Sequence, residues 1–243
     1  MNNNQNATVG TIVVADYRTA SVFKKYGIDF CCNGNRTVGE ACREGEIDAG
    51  ILEKELEEVT KNSQSEITGL DFKSWPLDLL ADYIEKKHHR YVVEQIPILQ
   101  GYLLKICSVH GSRHPELHEI RELFDECAAE LSAHMKKEET LLFPFIRKMV
   151  TAKKGNTKGL AAPFGTVQNP IRMMMHEHDT EGNRFRKIAS LSNNYQIPPD
   201  GCNTYSVSFH LLNEFEDDLH LHIHLENNIL FPRSIEMENF LMT

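Results

Sequence analysis

No apolar run in the 243-residue chain approaches the length of about 18 residues that a membrane-spanning helix needs. Residues 1–8 are polar, so the apolar segment of a signal peptide is also missing. Positive charge is scarce, because 26 Lys and Arg face 35 Asp and Glu, which gives a formal net charge of −9. We therefore expect a cytoplasmic protein that binds neither nucleic acid nor an acidic membrane surface.

The six cysteines are not expected to form disulfides, because thiols in the cytoplasm stay reduced. Cys31 and Cys32 are adjacent, in an apolar stretch that ends in the turn signal Asn33-Gly34. A thiolate in such a turn can be exposed and reactive, and a disulfide between neighbours is strained and easily reduced. A functional thiol role and a structural one both stay open for this pair. The other four are scattered and are expected to be structural: Cys42, Cys107, Cys127 and Cys202.

Helical patterns divide the chain into two domains. Residues 1–62 are predicted to form a small helical domain, and residues 63–75 are interpreted as a linker because most of them are polar and unperiodic. Residues 76–243 contain long helical patterns and no convincing strand. The fold class is therefore predicted to be all-α, with the small domain followed by an antiparallel four-helix bundle. The helices are predicted over 15–26, 38–44, 48–61, 77–107, 115–151, 170–191 and 204–231.

The second and fourth predicted bundle helices contain the same motif, His-x3-Glu-x3-Leu-Phe-Pro. It begins at His134 in one helix and at His222 in the other, and its fixed positions match without a gap. A further His precedes each motif, with His89 lying 45 residues before His134 and His178 lying 44 residues before His222. We therefore interpret the bundle as one helical hairpin used twice.

The spacing of the motif points to metal binding. Residues four apart share one face of a helix, so each His and Glu point the same way, here into an apolar stripe. Burying imidazoles and carboxylates without partners would be very costly, and a bound metal ion compensates for this cost. A single His-x3-Glu pair is usually an ordinary salt bridge, but here the pair occurs twice. Imidazole and carboxylate without thiolate suit iron best, with manganese or zinc next. Two metal ions are predicted, with His as terminal and Glu as bridging ligands: His89, His134, Glu138, His178, His222 and Glu226.

Several neighbouring side chains are less well determined. The apolar periodicity of the first bundle helix allows either His88 or His89 to face inward as the ligand. The similar spacings from His89 to His134 and from His178 to His222, 45 and 44 residues, favour His89 slightly. Glu130 and Glu177 lie close to predicted ligands and are interpreted either as their hydrogen-bonding or proton-gating partners or as ordinary charged residues. Three further histidines fall on other helix faces and are predicted to lie at the surface: His176, His220 and His224.

These residues resemble the hemerythrin-like di-iron family that repairs iron–sulfur centres, the RIC (ScdA/YtfE-type) proteins. Residues 22–34 are similar to the short domain that precedes the bundle in that family. The family usually has Gly after the Cys pair, where this chain has Asn33, a residue that also tolerates a left-handed backbone. The likeness extends to four strings around the predicted ligands, at 132–139, 177–179, 217–219 and 225–228.

The resemblance implies a homodimeric cytoplasmic protein whose two non-haem iron ions share an oxo or hydroxo bridge. Such proteins restore iron–sulfur clusters damaged by nitric oxide or oxidants, by donating iron, so damaged iron–sulfur proteins are the expected partners. The resemblance also implies His89 rather than His88 as the ligand, and it ties Cys31 and Cys32 to repair. Two alternatives use the same centre with NO or O2 as ligand: an enzyme that reduces nitric oxide, and a hemerythrin-like sensor. A metal-free helical interaction protein is the third alternative.

Overall fold

The computed structural model describes residues 6–61 and 71–242, and within these ranges the regular structure is helical, with two isolated β-bridges and no strand. The predicted all-α fold class is confirmed. None of the helices in these ranges has the length and apolar character needed to cross a membrane. Most of the predicted linker, residues 63–70, lies outside the described residues, as do residues 1–5 and 62 of the predicted first domain.

Four short helices form the amino-terminal domain: α1 Val9–Ala15, α2 Thr19–Lys25, α3 Val38–Glu44 and α4 Ala49–Lys61. The single helix predicted over 15–26 is therefore two helices, and Asp16 explains the break. Its carboxylate accepts hydrogen bonds from the backbone N–H and the guanidinium of Arg18, while its carbonyl accepts one from the Thr19 hydroxyl. Such local bonds compete with helical ones and turn the chain.

Local capping determines where these helices begin and end. Gly27 has a φ of +66° and ends α2. Thr37 and Glu40 form a reciprocal capping box at the start of α3. The Asp48 carboxylate accepts hydrogen bonds from two backbone N–H groups of the first turn of α4 and so caps this helix.

Four long helices form the bundle, and three of them contain a π-helical turn. The first consists of α5 Leu77–Tyr83, the π turn Ile84–His89 and α6 Arg90–His110, and the second of α7 Glu116–Lys137, the π turn Glu138–Leu142 and α8 Phe143–Lys154. The third is α9 Gln168–Leu191, and the fourth consists of α10 Asn203–Leu225, the π turn Glu226–Leu230 and α11 Phe231–Met242. Helix α6 packs against α7 and α10, and α7 packs against α9, so the predicted bundle is confirmed.

The Phe-Pro pair of the repeated motif explains two of the π turns. Pro144 and Pro232 have no N–H to donate to the carbonyl four residues earlier. The Phe before each Pro donates its N–H five residues back, to the carbonyl of the motif's own Glu: Phe143 to Glu138, and Phe231 to Glu226. The helix then continues, so the prediction that the fourth bundle helix ends at residue 231 is wrong, and it runs to Met242.

The extra residue in each π turn changes which side chains point inward. An uninterrupted α-helix would place Leu141 on the same inward face as Glu138, but Leu141 is 51% exposed. Leu142 and Phe143 are buried instead. The apolar stripe is therefore displaced by one residue after the motif's Glu.

Two apolar clusters fill the core. One joins the amino-terminal domain to residues of α6, α7, α9 and α10, and the other lies mainly among α5, α8, α9 and α11. Leu131 and Leu219 belong to the first cluster, whereas Leu142 and Leu230 belong to the second. Each His-x3-Glu pair lies between these leucines along the chain, so its polar side chains form a layer between two apolar clusters.

The amino-terminal domain packs on the fourth bundle helix beside its π turn. Asn228 donates a side-chain N–H to the Phe30 carbonyl at 3.3 Å, and Lys24 forms an ion pair with Glu216 at 3.2 Å. A Cβ at Gly10 would lie 2.7 Å from Asn228 Oδ1, so α1 approaches this closely only because residue 10 is glycine.

This packing covers two histidines that were predicted to lie at the surface. The His224 ring lies 5.6 Å from Tyr17 and 6.0 Å from Phe30 between ring centroids, and its residue is 2% exposed. Burial lowers the pKa of His224 to about 3. His220 is partly covered by Phe30, at 5.9 Å. The prediction is therefore wrong for His224, because a second domain covers that face; His176 is exposed, as predicted.

Candidate metal centre

The structure brings together all six residues that the repeated motif identified, from all four bundle helices. They form two groups that share both carboxylates, and in each group one ligating atom per residue lies within 4.8 Å of every other. Every one of the six residues is at most 3% exposed. One group is His89, Glu138, His222 and Glu226, and the other is His134, Glu138, His178 and Glu226.

Each hairpin contributes one His to each group, and each carboxylate lies between two imidazoles of its own hairpin. Glu138 Oε2 is 3.4 Å from the Nε2 atoms of both His89 and His134. Glu226 lies 3.1 Å from His178 Nε2 through Oε2 and 3.2 Å from His222 Nε2 through Oε1. The two halves of the cluster are thus related by approximate twofold symmetry.

Three of the imidazoles are oriented by a hydrogen bond at Nδ1. Such a bond places the proton on Nδ1 and leaves the Nε2 lone pair free for a metal. The acceptors are Glu139 for His89 at 3.0 Å, Glu177 for His134 at 2.7 Å and Asn227 for His178 at 2.8 Å.

The facing nitrogens of His134 and His178 show that these side chains fit a cation. Their Nε2 atoms lie 3.0 Å apart, while the Nδ1 atom of each ring donates to another acceptor. Two neutral imidazoles in this tautomer present lone pair to lone pair, which is repulsive unless a proton or a metal ion lies between them. Because carboxylates surround the pair, a metal ion fits this position.

The carboxylate oxygens lead to the same conclusion. Both oxygens of Glu138 and Oε2 of Glu226 are buried without a hydrogen-bond donor among the described residues. A buried carboxylate that accepts no hydrogen bond is expensive unless it is paired with a cation or coordinates a metal. The residues present therefore fit a site for two divalent ions.

Electrostatics keeps these carboxylates ionised. Burial opposes ionisation of Glu138 and Glu226, but the imidazoles facing them hold the pKa of both carboxyls below the usual range. Burial would likewise lower the pKa of His134, yet Glu138 and Glu177 raise it to about 10. The cluster therefore presents two negative charges to whatever cation it binds.

Comparison with known proteins matches this organisation. Residues 5–60 match the ScdA_N family model, described as a domain of unknown function (DUF542), and residues 80–234 match the Hemerythrin HHE cation binding domain. The chain is 32% identical over 230 residues to the iron–sulfur cluster repair protein YtfE of Escherichia coli O81 (strain ED1a), covering 95% of this chain and 97% of that protein. The protein of the same name from Escherichia fergusonii is 31% identical over equal shares.

The chain belongs to the ScdA/YtfE family. The resemblance found in the sequence is thereby confirmed, and the cation binding domain contains all six clustered residues. That these six bind metal stays a prediction, as does the choice of His89. The structure places His88 outside both groups, with its Nδ1 3.0 Å from Asp218 Oδ1 and its ring stacked on His222 at 5.7 Å.

The Phe of the repeated motif contacts two of the predicted ligands. Phe143 stacks on His89 at 5.6 Å, and Phe231 stacks on His178 at 5.9 Å with an interplanar angle of 2°. Each Phe therefore supports the upstream His of its own hairpin, which explains why the motif couples Phe to a His about 50 residues earlier.

Glu177 and Glu130 lie at a cavity of about 200 Å³ that reaches His134 and His178. Glu177 accepts hydrogen bonds from His134 and from Lys137, and these bonds lower its pKa to about 2. Glu130 is paired with Arg184 instead, at 2.7 Å. Only Glu177 of the two therefore touches a predicted ligand, while Glu130 lines the cavity.

The adjacent cysteines lie against the third bundle helix, close to His178. Their Sγ atoms are 3.8 Å apart, and Cys32 Sγ donates to the His178 carbonyl at 3.4 Å. A Cβ at Gly182 would lie 3.3 Å from this sulfur. The thiol of Cys31 is buried rather than exposed: a hydrogen bond with Cys32, followed by burial, raises its pKa well above the usual value.

The sequence interpretation missed the residues that connect these parts. Asn227 accepts the His178 Nδ1 proton and donates to the Cys31 carbonyl at 3.2 Å, so it links the cysteine turn to the cluster. Glu139 holds His89 from the equivalent position of the other hairpin, directly after the motif's Glu. Comparing the first variable position after the Glu in the two copies of the motif would have identified both. Glu181, a buried carboxyl lining the cavity, carried no such signal.

Proposed function

We propose that this protein holds two iron ions in the cluster and donates iron to iron–sulfur clusters damaged by nitrosative and oxidative stress. The observation that carries the proposal is the pair of buried donor groups sharing two carboxylates. Imidazole and carboxylate without thiolate suit iron. The relatives named as iron–sulfur cluster repair proteins support the choice of process.

The ligands divide between two ions. His89 and His222 would hold one ion, His134 and His178 the other, and both carboxylates would bridge them. When bound, the two ions supply redox capacity and coordination positions for a diatomic molecule. Phe143 and Phe231 keep the imidazoles in place from the apolar side.

Iron as cargo needs a route out of the cluster. The cavity reaches His134 and His178 and is lined by three carboxyl groups, those of Glu130, Glu177 and Glu181. Negative side chains along the wall offer a leaving cation successive partners. We therefore assign departure of iron to this cavity and to the ion held by His134 and His178.

The adjacent cysteines are proposed to act beside this route. Asp29, Cys31 and Cys32 present ligating atoms within 4.8 Å of one another, and Cys32 contacts the His178 carbonyl. Carboxylate and thiol donors can accept a cation when the thiols lose their protons. The thiol role left open by the sequence is thus assigned to transient acceptance of iron.

The test is metal analysis of the purified protein with Mössbauer spectroscopy, followed by chelation and transfer. We expect two iron ions per chain, removal by chelator with the helical circular dichroism unchanged, and restored activity of an iron–sulfur enzyme inactivated by nitric oxide. Negligible iron after native purification would contradict the di-iron centre. Iron that resists chelators and restores no enzyme activity would contradict the donor role.

The cavity also supports a second candidate function, reduction of nitric oxide. Its volume of about 200 Å³ beside His134 and His178 leaves room for diatomic molecules. Nitrous oxide formed over several turnovers of the reduced protein would favour this enzyme activity. A reversible adduct with NO or O2 and no product would favour a sensor.

The physiological setting is proposed from family resemblance. We propose a homodimer in the cytoplasm, with damaged iron–sulfur proteins as partners. Light scattering on the eluate of a size-exclusion column gives the oligomeric state directly, and a mass of one chain would contradict the dimer.

A further inference from the structure

A second thiol site lies where the fourth bundle helix begins. Cys202 is the residue that caps α10, with an extended backbone at φ −82° and ψ 172°, and it is exposed. It precedes His222 by 20 residues, which corresponds to about 30 Å along a helix. This thiol is therefore separate from the metal cluster and from Cys31 and Cys32.

The sulfur of Cys202 faces an imidazole at the amino terminus of α10. Its Sγ lies 3.2 Å from His110 Nε2. The His110 hydrogen bond, followed by the nearby backbone N–H groups of Tyr205 and Thr204, lowers the pKa of Cys202 to about 7. Hydrogen bonds from an imidazole and from a helix amino terminus are the features that activate cysteines in proteins.

His110 is itself unusual, because it is a buried imidazole directed at an exposed sulfur. It is 3% exposed, and its Nδ1 has no hydrogen-bond partner among the described residues. Its Nε2 is hydrogen-bonded to the Cys202 thiol. A buried ring with one polar contact is costly to maintain for packing alone, so the pairing itself points to a role.

The charged groups around the pair do not oppose a thiolate. His114 has its ring centroid 6.4 Å from that of His110, and Asp200, followed by Glu116, raises the pKa of His114. Asp200 is neutralised by His114 at 2.9 Å and by Arg113 at 2.9 Å. Tyr205 contacts both rings edge-on. The carboxylates facing the site are therefore paired with cationic groups.

The remaining cysteines differ in burial. Cys31, Cys42, Cys107 and Cys127 are buried, and Cys32 is half-buried. Burial raises the pKa of Cys107 and Cys127. All six cysteines lie among the described residues, and Cys202 alone of them is exposed.

We propose that Cys202 is a nucleophilic thiol that exchanges with low-molecular-weight disulfides and is reversibly modified by them. Its thiolate attacks one sulfur of the small disulfide, so a new S–S bond forms while the original S–S bond breaks. The second half leaves as a thiolate and takes a proton from His110 or water. Cys202 is oxidised to the mixed disulfide, the small disulfide is reduced, and excess thiol reverses the step.

The test follows all six thiols at once in the purified, iron-containing chain. Iodoacetamide is applied from pH 5.5 to 9.5, and labelled peptides are quantified by mass spectrometry. We expect the rate at Cys202 to reach half its maximum near pH 7, compared with about pH 8.5 for an ordinary thiol. A midpoint near 8.5 at Cys202 would overturn the proposal.

Two variants and one probe disulfide complete the test. His110→Gln should raise the Cys202 midpoint by about one pH unit or more, whereas His210→Gln, at an exposed position of α10, should not. Oxidised glutathione should place one glutathionyl group on Cys202 that dithiothreitol removes, and Cys202→Ser should abolish it with circular dichroism unchanged. An unmoved midpoint in His110→Gln, or modification of other cysteines but not Cys202, would overturn the proposal.

Discussion

The two hairpins place the same predicted ligands around the cluster but support them with different residues. Directly after the motif's Glu, the first hairpin has Glu139 and the second has Asn227, and each accepts the Nδ1 proton of the upstream His. A carboxylate makes an imidazole a stronger ligand than an amide does, because it stabilises positive charge on the ring. His89 is therefore expected to hold its ion more firmly than His178.

The residue before each upstream His increases this asymmetry. His88 stacks on His222 with an interplanar angle of 14° on that side of the cluster. Its counterpart in the second hairpin, Glu177, faces the cavity and holds His134. The symmetric cluster thus has His88 on one side and the cavity on the other, so two ions bound there as proposed are expected to differ in how readily they leave.

Loss of a shared carboxylate should have the largest effect. Glu138 and Glu226 each belong to both groups, so Glu138→Ala and Glu226→Ala are each expected to reduce iron from about two ions per chain to nearly none. Metal analysis measures this, with Glu214→Gln on the exposed side of α10 as the control. Retention of one ion in either variant would show that the carboxylate does not bridge.

Loss of a terminal imidazole should remove one ion and reveal the asymmetry. A colorimetric ferrous chelator should take iron from the reduced wild-type protein in two phases. His178→Ala should lack the fast phase, and His89→Ala should lack the slow one, because His178 lines the cavity and His89 does not. Release of iron from the wild type in a single phase would contradict the proposed difference between the two ion positions.

Exchange of the Nδ1 acceptors should shift the two rates in opposite directions. We expect Asn227→Asp to slow the fast phase and Glu139→Gln to accelerate the slow phase, each by about tenfold. Stopped-flow chelation gives both rates, and the double variant should bring them together. If both substitutions change the same phase, the assignment of acceptors to ions is wrong.

The burial of His224 beneath the amino-terminal domain should give a smaller effect, a dependence of the free energy of unfolding on pH. His224 has its pKa lowered to about 3 by burial, so the unfolded chain binds its proton more tightly between about pH 6.5 and 3. The contribution of His224 to the free energy of unfolding is fully present above pH 6.5. It falls as the pH drops, by about 2 kcal/mol between pH 7 and 5.

Urea unfolding of the chelator-treated protein at pH 7 and pH 5 measures this loss. His224→Phe should reduce it, and His210→Phe, at an exposed position, should not. An equal loss in the His224 variant would mean that another group titrates.

Local spacing was sufficient to find the cluster, because an i, i+4 pair in an apolar stripe determines where both side chains point. The same rule failed after Glu138, where the π turn moved Leu141 to the surface. The cause lay in the motif itself, since Pro cannot donate to the carbonyl four residues earlier.

Contacts between residues far apart in the chain could not be predicted in this way. His224 is buried by a domain about 200 residues away in sequence, and Cys202 meets His110 across 92 residues. Periodicity describes one helix at a time and contains no information about which neighbour covers a face. The cavity carboxyl Glu181 was missed for the same reason.

The π turns have a consequence for how this bundle tolerates change. An inserted residue rotates everything after it by about 100° around the helix axis. The side chains of α8 and α11 are therefore rotated around the helix axis, compared with the positions they would have if α7 and α10 continued without a π turn. Deleting one residue from Glu138–Leu142 would turn the Phe143 ring away from His89 and misalign the apolar residues of α8. Substitutions within α8, by contrast, can be accommodated without rotating the predicted ligands that precede it in the chain.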